Sequence, residues 1–251
     1  MPSKSILSPD ELNKRVSSAV KHFWITKTSQ GKKQGKKTGV KDRGSRSEVT
    51  GGKHLDGFVQ LFADIAIEAG MKSDSIYTKN KEVVLPGFFR AAKQWDLLVI
   101  VDERVVAVLE LKSQVGSLGN NANNRAEEAV GNAHDFWTAY RNEQFKDSRK
   151  PWIGYMFLLE DSDASIKPVS VVETHYQVLP IFKSASYMDR YALCCKQMVR
   201  ERLYDSAALI ASKKESGKRG VYRVPDPSID LSQLCASFYA HLVAQKQAGL
   251  F

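Results

Sequence analysis

The sequence predicts an α/β fold, a mixed central sheet flanked by helices, and three observations lead there. Residues 95–101 and 105–111 are two apolar runs rich in β-branched and aliphatic side chains, joined by a short polar Asp-Glu-Arg link. Neither run alternates polar with apolar residues, the pattern of strands covered on both faces. A third such run, WIGYMFLLE at 152–160, follows Pro151, and helical periodicities stand before, between and after these strands. A mixed sheet with helices packed on it buries all of them.

Taken in order, Ser8-Pro9-Asp10-Glu11 supplies a cap, a proline at the first helical position and early acids, the start of a helix. That helix is expected to reach about Ile25, with Leu12, Val16, Ala19, Val20 and Phe23 on one face. A second helix is expected from about Lys53 to Ala69, stopped by Gly70. Val83 to Leu85 reads as a short strand ended by Pro86-Gly87, and the 95–111 hairpin comes next. Residues 114–124 open as a Gly/Asn loop, and Asn124 with Glu127 forms a capping-box pattern for the following helix. Beyond the 152–160 strand, another strand is expected near Tyr176 to Phe182, a helix over Tyr187 to Ala211 and a terminal helix over Leu231 to Lys246. No repeat and no linker divides the 251 residues, so the expectation is a single domain over 1–251 with a basic flexible arm at about 28–48.

Charge and cysteine content narrow the function. Of the formal net charge of +9, the first 50 residues contribute +8, from 12 Lys/Arg against 4 Asp/Glu. Much of it lies in TSQGKKQGKKTGVKDRGSRSE (28–48), which has almost no apolar residues. Its Lys32, Lys33, Lys36, Lys37, Arg43 and Arg46 read as a polyanion-binding set on a mobile arm, with a solvated loop as the alternative. A second basic stretch, 212–223, reads as the same kind of surface or as plain solvated loop. Cys194, Cys195 and Cys235 have no metal-ligand spacing, and the five histidines are scattered, which excludes an obvious zinc site. No apolar run is long enough to cross a bilayer and the amino terminus lacks a secretory core, so no membrane partner and a cytoplasmic location are expected.

The chemistry gathers at the hairpin's open end. With a three-residue loop, Val101 pairs with Val105, and counting back places Asp96 opposite Glu110. Glu110 and Lys112 share a face because side chains alternate along a strand, and Asp96 joins them. Two carboxylates in an apolar setting repel each other and lose hydration unless paired or bridged by a cation. Oxygen ligands of this kind suit Mg²⁺, and Lys112 would stand beside a metal-bound water. Glu-x-Lys alone also fits an exposed ion pair at a strand end. Asn120, Asn121, Asn123, Asn124 and Arg125, just after this strand, are residue types that read adenine and guanine edges, or else simply turn the chain. Gln114 and Arg90 are further candidates for touching DNA.

Asp96, thirteen residues, then Glu110-Leu111-Lys112 resembles the PD-(D/E)xK nuclease superfamily, with Trp95-Asp96 in place of the usual Pro-Asp. The stretches GGKHLDGF, LPGFFRAAKQWD, LELKSQVGSLGNNANNRAEEAVGNAHDFW and PWIGYMFLLE are similar, more narrowly, to XhoI-type type II restriction endonucleases. The resemblance implies a restriction-endonuclease-like core and a homodimer making Mg²⁺-dependent double-strand cuts in duplex DNA. It also implies a short palindromic target, CTCGAG in the family, a 5′ overhang and a cognate methyltransferase in the host. Asp96 and Glu110 then take the metal-ligand roles with the Leu111 carbonyl, and Lys112 positions water. Asp56 and Glu48 would be candidates for a second metal, or acids at a helix start. The same residues fit a repair or junction-resolving nuclease, or a DNA-binding protein without catalysis.

Overall fold

A computed structural model describes residues 5–38, 52–145 and 149–249. In chain order its helices and strands are α1 (Pro9–Thr38), α2 (Asp56–Glu68), β1 (Ile76–Tyr77), β2 (Val84–Pro86), β3 (Ala92–Gln94), β4 (Leu97–Val101), β5 (Arg104–Gln114), α3 (Leu118–Arg141), β6 (Trp152–Glu160), α4 (Asp163–Ile166), α5 (Tyr187–Arg200), β7 (Ser206–Ser212), α6 (Lys214–Gly217) and α7 (Leu231–Gln247). The main sheet has the order β1-β4-β5-β6-β7. Its β1-β4-β5 side is antiparallel and its β5-β6-β7 side parallel. β2 and β3 form a separate small hairpin.

Both faces of the sheet are covered, as its unbroken apolar strands require. Leu97, Val99, Leu109, Leu111, Met156, Leu158, Ala208 and Ile210 pack against α1, α2 and α7. Leu98, Val108, Ile153, Phe157 and Leu209 pack on the other side, where α3 and α5 lie. Both crossovers between parallel strands therefore run over one face.

The hairpin is built differently from the three-residue loop expected. Val101 pairs with Arg104, leaving only Asp102 and Glu103 in the turn, with φ of 49° and 65°. Two successive left-handed residues give the tight turn whose twist matches the strands it joins. This shorter loop, continued regularly, would set Asp96 level with Leu109 and send Glu110 to the opposite face. A bulge prevents that. The register shifts between Val99 and Ile100, so that Ile100 pairs with Val105 but Val99 with Ala107. Val106, the extra residue, faces the same core as Ala107. Below the bulge Leu97 pairs with Leu109, which is the register the sequence implies. A bulge beside a site commonly re-aims a side chain; here it returns Glu110 to the face of Asp96.

Other boundaries moved for identifiable reasons. α1 runs to Thr38 instead of ending near Ile25, so the backbone of 28–38 is helical. Residues 39–51, including Arg43, Arg46 and Glu48, lie outside the described residues, as do the side chains of Lys32, Lys33, Lys36 and Lys37. The expected loop before Asn124 is already α3: the helix starts at Leu118, after Ser117 in a left-handed conformation (φ 46°). Tyr176 to Phe182 forms no strand; it is an irregular segment with a 3-10 turn at Pro180–Phe182, and Tyr176 is 90% exposed. The long helix expected over 187–211 stops at Arg200, and Ser206–Ser212 is the edge strand β7. Arg202 takes φ 57° at the stop, while Arg202 and Leu203 donate their N–H groups to Val199 and Met198. That is a Schellman ending with arginine where glycine is usual, so no stop signal stands in the sequence.

The three cysteines are unpaired; Cys195 and Cys235 are buried in the core, and burial pushes the Cys194 thiol up to about 11. No described helix is long and apolar enough to cross a membrane.

Candidate active site

Asp96 precedes β4, and it brackets Glu110 through the neighbouring backbone. Its N–H donates to the Leu109 carbonyl at 3.1 Å, and its Oδ2 accepts the Leu111 N–H at 2.7 Å. Glu110 is fully buried, and its two oxygens are each held by a lysine: Lys112 Nζ lies 2.5 Å from Oε1 and Lys93 Nζ 2.7 Å from Oε2. Asn132 of α3 adds a long contact to Oε1 at 3.4 Å. The three residues expected to share a face therefore do converge. Lys93, from the short strand β3, is a fourth member that strand counting along the main hairpin had no means of finding.

The charges of this cluster are strongly coupled. Burial raises the Asp96 carboxyl, and the Glu110 charge raises it further, to about 7, against the opposing pull of the Leu111 N–H and both lysines. Burial would raise Glu110 as well, but Lys112 and Lys93 outweigh it and hold that carboxyl below its usual range. Lys112 loses hydration yet is held above the ordinary lysine value by Glu110. Near neutral pH the site thus has one firm carboxylate, two ammonium groups and a second carboxyl poised to lose its proton.

A polar scaffold under α3 fixes this geometry. Asn132 and Asp135 are buried at 6% and 4% exposure on a face otherwise formed by Ala129, Ala133 and Phe136. Arg90 donates from Nε to Asp135 Oδ2 and from its terminal nitrogen to Asn132 Oδ1, each at 2.8 Å. Asp135 Oδ1 accepts the N–H groups of Phe88 and Phe89, both at 2.8 Å. These donors hold Asp135 below its usual range despite its burial. Polar residues at core-facing helix positions were the sequence signal for this network. Arg90, considered above as a DNA contact, is chiefly a strut between α3 and the β2-β3 turn.

The remaining candidates are dispersed. Gln114 is buried, and its amide donates to the Gly116 carbonyl at 2.5 Å. Asn120, Asn123 and Asn124 are exposed on the first two turns of α3. Asn121 donates to the Ser117 carbonyl and Arg125 pairs with Glu128, both of them half-buried. Asp56 is exposed at the start of α2, whose apolar side packs on the sheet face opposite Glu110. Among the described residues no group of three or more His, Cys, Asp or Glu gathers as a metal cluster. In the 212–223 stretch, Lys218 pairs with Glu215 and Arg223 with Asp161, while Lys213, Lys214 and Arg219 are exposed.

A mixed sheet whose antiparallel hairpin passes directly into a parallel crossover, with paired carboxylates and a lysine at the junction, defines the restriction-endonuclease-like class of α/β proteins. Within that class, residues 33–224 match the family described as restriction endonuclease XhoI, and the chain belongs to this family of type II restriction endonucleases. The type II restriction enzyme BstVI of Geobacillus stearothermophilus is 43% identical over 216 residues, 84% of this chain and 96% of the relative. XhoI of Xanthomonas vasicola is 42% identical over 62% of this chain and 64% of its own length. AbrI of Azospirillum brasilense is 42% identical over 66% of this chain and 75% of its own. No solved structure matches.

Proposed function

We propose that this chain is a Mg²⁺-dependent endonuclease that cuts both strands of duplex DNA at a short palindrome, with CTCGAG and a 5′ overhang as the first target to test. The observation that carries the reading is the convergence of Asp96, Glu110 and Lys112 at the end of one hairpin. The donor set fits a hard divalent cation: two carboxylates, of which Asp96 is kept near half-ionised at neutral pH by burial first and by the Glu110 charge second. Asp96, Glu110 and the Leu111 carbonyl would hold the ion, and Lys93 would give up its Glu110 oxygen on loading. When bound, the ion supplies Lewis acidity towards a phosphate oxygen and makes water acidic enough to attack near neutral pH. Lys112 orients that water and offsets charge on the phosphate as one P–O bond forms and the opposite one breaks. Asp56, exposed at the start of α2 on the other sheet face, has no place in this arrangement.

A palindrome cut in both strands calls for two sites related by twofold symmetry, hence a homodimer. Restriction in a cytoplasm also requires a methyltransferase that protects the host's own target. The exposed Asn120, Asn123 and Asn124 at the amino end of α3 suit base edges or phosphates, and the chain 1–251 acts as one nuclease domain. Supercoiled plasmid of known sequence, incubated with Mg²⁺ or EDTA and mapped at its ends, tests the proposal. Discrete Mg²⁺-dependent fragments are expected. A random smear would favour a repair-type nuclease, and binding without cutting would leave only a DNA-binding protein.

Lys32, Lys33, Lys36 and Lys37 fall in α1 at spacings that group their positions along one side of the helix. Replacing all four by Ala should flatten the dependence of log K on log salt by up to about 3.6, at roughly 0.9 per phosphate contact. An unchanged slope would mean that these lysines only face solvent.

A further inference from the structure

The turn between β2 and β3 presents two large apolar side chains to solvent. Phe88 is 50% and Phe89 66% exposed, and their rings meet edge to face at 5.1 Å. Phe89 also stacks on His134 of α3, with centroids 5.5 Å apart and planes 18° from parallel. Exposed aromatics normally cost a protein solubility, yet this turn is heavily braced. Both phenylalanine N–H groups end on one oxygen of the buried Asp135, and Arg90 ties the turn to Asp135 and Asn132. Gly87 is required for the approach: a Cβ there would stand 2.6 Å from both the Arg90 carbonyl and Asp135 Oδ2. The rings are held in place by these bonds and left uncovered by the described residues.

Resting on the nuclease reading above, we infer that Phe88 and Phe89 form an aromatic tip that stacks on or wedges between DNA bases beside the scissile phosphate. Charge does not oppose this occupant: residues 86–94 contain no acid, and Arg90 and Lys93 are paired with the buried Asp135 and Glu110. Position is what favours it. Lys93, which touches Glu110, is four residues from Phe89, a reach of at most about 14 Å, or some four nucleotide steps along a strand. The tip is thereby held within a short site's length of the catalytic carboxylates. Apolar side chains inserted at base steps, and aromatic rings stacked on bases, are established ways for proteins to engage nucleic acid.

The test is single-turnover cutting of a duplex bearing the mapped site, with half-saturation measured at several salt concentrations. Phe88→Ala and Phe89→Ala should each raise the half-saturating concentration about 5- to 150-fold, with the salt slope and the thermal midpoint unchanged. Phe89→Trp should restore binding and Phe89→Leu should not, since the ring face is what a base meets. Unchanged half-saturation would overturn the inference, and a shallower salt slope would also do so by marking a phosphate contact. An alanine variant sedimenting at lower mass than the wild type would overturn it as well, making the tip a contact between two copies. A wild-type protein that cuts no duplex would remove the nuclease reading itself, an outcome distinct from all of these.

Discussion

Asp96→Asn is expected to reduce cutting by about 10³-fold or more and, at the same time, to make the metal-free protein more stable. Asparagine keeps the shape and can still accept the Leu111 N–H, which reaches Asp96 Oδ2 at 2.7 Å. It removes the carboxylate that a divalent ion needs. The stability effect follows from the raised Asp96 carboxyl, at about 7 in the folded chain and about 3.9 when unfolded. The folded state binds this proton more tightly, so the stabilisation is fully present below about pH 4. It declines through the interval from 4 to 7 and is lost above the folded value. The variant has no such decline. Its advantage over wild type in EDTA should therefore widen by roughly 2–3 kcal/mol between pH 5 and pH 8, several degrees in melting. Thermal unfolding at the two pH values, beside plasmid cutting, measures both halves. A variant that cuts at the wild-type rate, or a stability gap that does not widen with pH, would contradict this account. In the wild type the same ionisation should make Mg²⁺ affinity climb between pH 6 and 8.

What could be read from the sequence was what depends on near neighbours. The apolar runs of β4, β5 and β6 identified themselves because strands covered on both faces need no alternation. The register at Asp96 came out right through two differences that cancel: the loop is one residue shorter than expected, and the bulge at Val106 restores the count. Nothing in a run of Val-Val-Ala-Val distinguishes bulged from regular strand, since all four side chains are buried either way. The β7 segment Ser206–Ser212 is alanine-rich, which suits a helix, and a strand only in its tertiary setting. Asn120 to Asn124 resembled a loop for the opposite reason, asparagine being a poor helix former, yet these residues form the exposed first turns of α3. Lys93, Asn132 and Asp135 reach Glu110 or its supports from a separate hairpin and from the helix that crosses the sheet. Local periodicity carries no information about such meetings.

The Glu110 carboxylate also holds the site together, and Glu110→Gln should show this by costing about 3–5 kcal/mol of stability in addition to all cutting. Glu110 has no exposed surface, and the side chains of its partners Lys93 and Lys112 are only 12% and 26% exposed. An amide would leave two ammonium groups on either side of what was one carboxylate, without the charge that each of them faced. Asn132 would lose its charged partner as well. If that missing counter-charge is the cause, Glu110→Gln combined with Lys93→Met should recover part of the loss, because one uncompensated charge and its desolvation are removed together. Lys112→Ala should behave differently again: Lys93 still neutralises Glu110, so the fold and specific DNA binding persist while cutting falls. Urea unfolding of the single and double variants separates these cases. Equal stability of Glu110→Gln and wild type would mean that the lysines are not held in place by this carboxylate. The low ionisation range assigned to Glu110 would then have lost its physical cause.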